Sequence, residues 1–214
     1  MDQQLIEAAL AFARETFAED HSGHDFSHTL RVYRMAVRLA AEEGADGTIT
    51  ALAALLHDVD DHKLSPATAA DKTRAKAFLR AHGVPEPVVQ AVCAILQEVS
   101  FAGRDSVVPA TIEGRCVQDA DRLDAMGAVG AARAFAYGGS RGRVMHDPSI
   151  PPVLDLSAEE YRAHVSTTIN HFYEKLLRLG GWMTTATGKA LAAERERFMR
   201  VFLEEFLAEW DGLR

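Results

Sequence analysis

Apolar residues recur along this chain at the three- and four-residue spacing of helices, and no run alternates apolar and polar residues as a half-buried strand would. Leu5, Ala8, Ala9 and Phe12 mark the inner face of a first helix reaching about Glu19, and Asp20-His21-Ser22-Gly23 breaks the pattern as a turn does. Ser27 is placed to cap a second helix, in which Leu30, Val32, Tyr33, Ala36, Val37 and Ala40 precede a stop at Gly44. Asp46 or Thr48 starts a third helix, and this one differs from its neighbours. Its Leu52-Ala53-Ala54-Leu55-Leu56 run is apolar on every side and ends abruptly in His57-Asp58-Val59-Asp60-Asp61-His62-Lys63.

Past a loop at Ser65-Pro66, the spacing predicts a short helix from about Asp71 to Ala81, stopped by His82-Gly83. Pro85 suits the first turn of the next helix, which runs to about Val99. Residues 100–112, with Gly103, Asp105 and Pro109, read as an irregular link. Helical character returns over Val117–Met126 and Ala128–Tyr137. Gly138-Gly139-Ser140-Arg141-Gly142-Arg143 reads as a loop that continues through Pro148, Pro151 and Pro152. A helix from about Ala158 to Leu179 is expected to end at Gly180-Gly181, and a last one spans about Thr187 to Trp210. There is no internal repeat and no low-complexity segment. The fold class is all-α.

Composition narrows the function. A chain of 214 residues with 48% hydrophobic and 25% charged residues is an ordinary globular sequence, long enough for one domain or a domain with a helical extension. Its net charge of −8 argues against a nucleic-acid surface, which needs clustered Lys and Arg, but leaves room for a small anionic ligand held locally. Cys93 and Cys116 stand in apolar settings and are expected as packed, reduced thiols. No signal peptide is evident, and no apolar run approaches the roughly 18 residues that span a bilayer. A soluble, cytoplasmic protein with no membrane partner is the expectation.

The polar cluster after the third helix carries the chemistry. Burying ionisable groups without partners costs several kcal/mol, roughly, and a divalent cation is the simplest compensation. Two further clusters can converge on it: His24-Asp25-Phe26-Ser27-His28 upstream and Asp119-Ala120-Asp121-Arg122-Leu123-Asp124 downstream. Imidazole and carboxylate donors without cysteine suit Mn, Fe, Co, Ni, Zn or, less well, Mg rather than a structural thiolate zinc. His21, His82, His146 and His164 read as ordinary surface or core histidines.

The order His28, then His57-Asp58, then Asp121 resembles the signature of the HD-domain metal-dependent phosphohydrolases. Ala53-Ala54-Leu55-Leu56-His57-Asp58 and Gln118-Asp119-Ala120-Asp121-Arg122-Leu123-Asp124-Ala125 carry the likeness, specifically to one bacterial subfamily of predicted phosphohydrolases. Phe135-Ala136-Tyr137-Gly138-Gly139, His171-Phe172-Tyr173-Glu174-Lys175-Leu176 and Glu209-Trp210 extend it over nearly the whole chain. The resemblance implies one HD-type domain, with a metal-binding core over about 20–130 and C-terminal helices over about 155–212 packed on it. It implies His28, His57, Asp58 and Asp121 as metal ligands, with Asp121 preferred to Asp119 because the family pattern reads Ala-Asp-Arg-Leu there. Dinuclear relatives add histidines between the His-Asp pair and the last Asp. Here that interval holds only His62 and His82, so a single divalent ion is expected.

Around that ion, Lys63 is a phosphate ligand by charge, Asp61 a general base or orienter of water, and His24 a hydrogen-bonding group for substrate or water. Arg31 and Arg122 either clamp phosphates or form ion pairs with Asp25 or Asp124, and Arg141 with Arg143 lies where a loop would close over a nucleotide. The aromatic stripe from Phe172 to Phe206 belongs to the core or to a homodimer surface. The function implied is hydrolysis of a nucleotide or similar small phosphorylated molecule, including pyrophosphate release from a nucleoside triphosphate. Alternatives are a phosphomonoesterase or phosphodiesterase of the same fold, or a weakly catalytic nucleotide sensor.

Overall fold

The computed structural model describes residues 2–18, 25–60, 68, 70–99, 107–154, 164 and 166–214, and every regular element among them is helical. In chain order these are α1 (Gln3–Thr16), α2 (Phe26–Glu43), α3 (Gly47–Leu56), α4 (Thr73–Ala81), α5 (Glu86–Glu98), α6 (Ile112–Asp124), α7 (Gly127–Ser140), α8 (Thr168–Glu174), a 3-10 helix (Leu176–Trp182) and α9 (Ala186–Trp210). The all-α expectation holds. None of the described helices is long and apolar enough to cross a membrane.

Short acidic and hydroxyl side chains set the helix starts. Asp46 accepts the Thr48 and Ile49 amides at 2.8 and 3.0 Å and so begins α3. At α2 the cap is Asp25, not Ser27. The Asp25 backbone is extended and its carboxylate takes the His28 amide at 2.7 Å, which leaves Ser27 inside the first turn. Pro85 likewise stands at the cap of α5, one place before the first turn. At the other end of α2, Gly44 adopts φ +72 and the Ala45 amide reaches back to the Ala40 carbonyl at 3.0 Å, a left-handed closure that excludes most side chains.

The chain divides into two compact units, with the boundary inside α6 after Asp121. In the first unit α3 is the hub. Its residues from Thr50 through Leu56 are all buried, and α1, α2 and α5 surround it. The facing stripes are Ile6, Ala9 and Ala13 on α1, Val32, Ala36, Leu39 and Ala40 on α2, and Val89, Val92, Ile95 and Leu96 on α5. At roughly 2 kcal/mol for each buried Leu, Ile or Val, this apolar cage is the main source of the unit's stability. Cys93 and Cys116 are buried free thiols, as expected, and burial pushes the Cys116 thiol up to about 12.

The second unit is built on α7 to α9 and the 3-10 helix. Phe135, Phe172, Phe202 and Phe206 form its aromatic core, with ring centroids 5.7–6.1 Å apart. Two glycine pairs differ from the expectation. Gly138 and Gly139 continue α7 to Ser140, because a Cβ on Gly138 would run into Thr168 Oγ1, so glycine here permits close packing of α7 against α8. The helix stops later, where Gly142 takes φ +67 and the Arg143 amide closes onto the Gly138 carbonyl at 2.8 Å. Gly180 and Gly181 do not end an α-helix either: α8 stops at Glu174 and the pair lies within the 3-10 helix. The start expected for that helix, near Ala158, falls outside the described residues, as do the turn at 20–23, the Ser65-Pro66 loop and most of the 100–112 link.

A buried carboxylate organises the approach to α8. Glu174 Oε1 accepts from Ser166 Oγ at 2.8 Å, the Val153 amide at 3.1 Å and His164 Nε2 at 3.2 Å. His164 and His82, which caps α4 by bonding the Phe78 carbonyl at 2.8 Å, thus have structural partners.

His171 links this unit to acid stability. Burial, with the charges of Lys175 and Arg143 beside it, pushes its imidazole down to about 3. An unfolded chain takes up that proton near pH 6.5, whereas the folded one resists it until about pH 3. Stability from this residue is therefore intact above about pH 6.5 and is lost progressively as pH falls toward 3. Urea midpoints measured at stepped pH should decline less steeply below 6.5 in His171→Gln than in the wild type. Parallel slopes would show that His171 is not the cause.

Candidate metal centre

Four polar side chains converge in the first unit. His28 lies one turn before Val32 on α2, at the head of that helix's buried stripe, so the same packing that buries Val32 turns the imidazole inward. Asp121 lies one turn after Val117, a buried residue of α6. His57 and Asp58 leave the end of α3. On a continuous helix their side chains would diverge by about 100°. The helix ends at Leu56, His57 keeps helical backbone angles at its C-cap, and residues 57–60 continue as a turn in which both side chains nonetheless reach His28.

The distances show that convergence. His28 Nε2 lies 3.3 Å from His57 Nε2, 3.5 Å from Asp58 Oδ2 and 3.4 Å from Asp121 Oδ1, and His57 Nε2 lies 3.1 Å from Asp58 Oδ2. Donor atoms of His28, His57 and Asp58 all fall within 4.8 Å of one another. The histidine side chains are 3% and 5% exposed, whereas Asp121 is 30% exposed, so the cluster is sealed on the helix side and open on one side.

Two observations test whether an ion fits. His57 Nδ1 donates to the Ala54 carbonyl at 2.8 Å, which fixes the tautomer and leaves the Nε2 lone pair facing the other donors. Two buried imidazole nitrogens that face each other at 3.3 Å with carboxylates alongside need a shared cation, either a proton or a metal. Burial alone would lower the affinity of His57 for a proton, yet Asp58 and Asp121 overcome burial and raise its pKa to about 9. The cluster therefore attracts positive charge. Its nitrogen and oxygen donors fit a divalent first-row cation. Of the two acidic candidates on α6, Asp121 lies 3.4 Å from His28 Nε2, and Asp119 is fully buried.

The remaining candidates are distributed differently. His24, Asp61 and Lys63 lie outside the described residues. Arg31 is half-buried on α2, one turn after His28. Arg122 belongs to the second unit, where its buried guanidinium donates to the Trp182 carbonyl, and Asp124 is paired with Arg133. Arg141, also in the second unit, is exposed with its guanidinium 5.4 Å from the Tyr137 ring centre. Sequence reasoning missed the roles of Asp25 and of the Ala54 carbonyl. The first was legible as an acidic cap three residues before His28, whereas a backbone carbonyl leaves no trace in a sequence.

Comparison with known proteins agrees with this geometry. The HD domain family model matches residues 25–126, a span that includes all four converging side chains. The protein YpgQ of Bacillus subtilis (strain 168) is 35% identical over 204 residues, covering 94% of this chain and 92% of that protein. The crystal structure of an HD-superfamily hydrolase from Bacillus thuringiensis superposes with a TM-score of 0.80 at 40% identity over 99% of both chains. The structure of Bacillus subtilis YpgQ in complex with ADP does so with a TM-score of 0.78 at 32% identity, over 98% of this chain and 100% of that one. With its ligand pattern, fold and full-length relatives in agreement, this chain belongs to the HD-domain family.

Proposed function

We propose that this protein is a metal-dependent phosphohydrolase whose substrate is a nucleotide, and that it splits a nucleoside triphosphate into monophosphate and pyrophosphate. The observation that carries the proposal is the convergence of His28, His57 and Asp58, with donor atoms 3.1–3.5 Å apart, and the partly exposed Asp121, whose Oδ1 lies 3.4 Å from His28 Nε2. The complex of YpgQ with ADP supports a nucleotide as the ligand class. When bound, a divalent ion supplies Lewis acidity toward a phosphoryl oxygen and toward water.

The chain's own residues do the rest. His57, held by the Ala54 carbonyl, and His28, positioned by the Asp25 cap, keep two imidazole nitrogens aimed inward. Asp61 is assigned the proton of the attacking water, because it follows the ligand pair closely and is itself anionic. Attack at the α-phosphorus forms one P–O bond and breaks the bond to the bridging oxygen, so pyrophosphate departs with that oxygen. Lys63 and Arg31 are assigned to the phosphoryl oxygens and His24 to the outer phosphates.

Three measurements test this reading. Elemental analysis should find one divalent ion per wild-type chain and little in His57→Ala or Asp58→Ala, and full occupancy in both variants would end the metal assignment. Lys63→Ala should retain the ion while turnover falls on the order of 10²-fold, and wild-type kinetics would remove Lys63 from the site. Ion-exchange analysis of a single turnover with a nucleoside triphosphate should give the monophosphate and pyrophosphate directly. Orthophosphate and a diphosphate as first products would exclude the proposed bond, and inertness of the metal-loaded protein toward all phosphate esters would favour a sensor.

A further inference from the structure

Immediately after the ligand pair comes a carboxylate that neither the metal nor the proposed chemistry uses. Asp60 is fully buried. Its two oxygens accept the backbone amides of Ala75 at 2.9 Å and Arg74 at 3.2 Å, the second and third residues of α4. This is the bond set of a helix cap, but it is supplied from fourteen and fifteen residues upstream by the turn that bears His57 and Asp58. The residue in the usual cap position, Lys72, provides no capping bond. It adopts φ +51, the one non-glycine positive φ among the described residues, a conformation that costs free energy and that turns the chain into α4 beneath Asp60.

A second bond runs the opposite way. The Arg74 guanidinium donates through Nη1 to the Val59 carbonyl at 3.2 Å and through Nη2 to Thr16 Oγ1 of α1 at 3.1 Å, and it lies 5.7 Å from the Phe12 ring centre. The two residues that follow Asp58 are thus each bonded to the start of α4, one through its side chain and one through its carbonyl. That matters because α3 itself ends at Leu56, and the turn is bonded back to the helix by the Val59 amide, which donates to the Leu56 carbonyl at 3.3 Å.

We infer that Asp60 and Arg74 are positioning residues for the metal centre: they tie the 57–60 turn to α4 so that His57 and Asp58 face His28 and Asp121. The inference rests on the metal reading of that cluster. An Asn at position 60 keeps the shape but offers one acceptor where two amides need one each, so the turn should loosen while the apolar cage stays intact.

The test is Mn²⁺ binding by calorimetry, with wild type, Asp60→Asn, Arg74→Met and a control, Leu39→Ala, a fully buried core residue eleven positions beyond His28 on α2. The expected result is a dissociation constant at least tenfold higher in Asp60→Asn and Arg74→Met, and within twofold of wild type in the control at a comparable loss of thermal stability. Amide exchange at Ala75 should accelerate in Asp60→Asn before global unfolding. Should Asp60→Asn fail to fold, Arg74→Met carries the comparison. Wild-type affinity in the folded variants overturns the brace, as does an equal loss in the control, which would mean that any destabilisation loosens the site. Failure of the wild type to bind Mn²⁺ overturns the metal reading, and the brace with it.

Discussion

The first unit depends on placing a cluster of imidazole and carboxylate groups inside an apolar cage. His28, His57 and Asp58 lie where water hardly reaches, at the end of a helix buried along its length. Such groups are costly unless they share positive charge, and the raised affinity of His57 for a proton measures that demand. The apolar surroundings follow from this need. Burial at the end of α3, where Leu52, Leu55 and Leu56 are fully buried, strengthens the field of the carboxylates. Asp121, more exposed, faces the side from which a ligand can enter.

Precision at the centre comes from backbone bonds rather than from the ligands. The Asp25 cap sets the start of α2 three residues before His28, the Ala54 carbonyl holds the ring of His57, and Asp60 with Arg74 ties the turn beyond Asp58 to α4. Each ligand thus has a neighbouring constraint within a few residues, which limits the freedom lost when an ion binds. The second unit solves a separate problem by the same means. An aromatic cluster sets the buried Phe172 against the half-buried Phe135, Phe202 and Phe206, and Glu174 gathers Val153, His164 and Ser166 onto one carboxylate oxygen.

Much of this was legible in the chain itself. Helical spacing of apolar residues located most of the described helices to within a few residues, because a helix must present a stripe to its neighbours whatever they are. Among the described residues, the helix expected over about 158–179 is instead α8 over Thr168–Glu174, preceded by the extended Thr167 and followed by a 3-10 helix. The apolar run ending in His57-Asp58 announced a buried polar site, because burial and charge are incompatible without compensation. The misreadings share one origin. Glycine was read as a breaker at 138–139 and 180–181, yet at 138 it serves contact, since Thr168 occupies the place of a side chain. Ser27 was read as a cap because local preference cannot tell which of two neighbouring capping residues has the extended backbone.

By itself, the sequence determined the all-α class and the buried α3 hub, which follow from periodicity, and its resemblance to the HD-domain family singled out the residues that meet. Tertiary structure alone decided how they meet. Adjacent residues on a helix point apart, yet His57 Nε2 and Asp58 Oδ2 lie 3.1 Å apart at the end of α3, and α4 takes hold of the turn that follows. That hold spans about fifteen residues through backbone amides, and backbone amides are common to every residue. No pattern of side chains can announce such a bond, because its geometry exists only once the helices have packed.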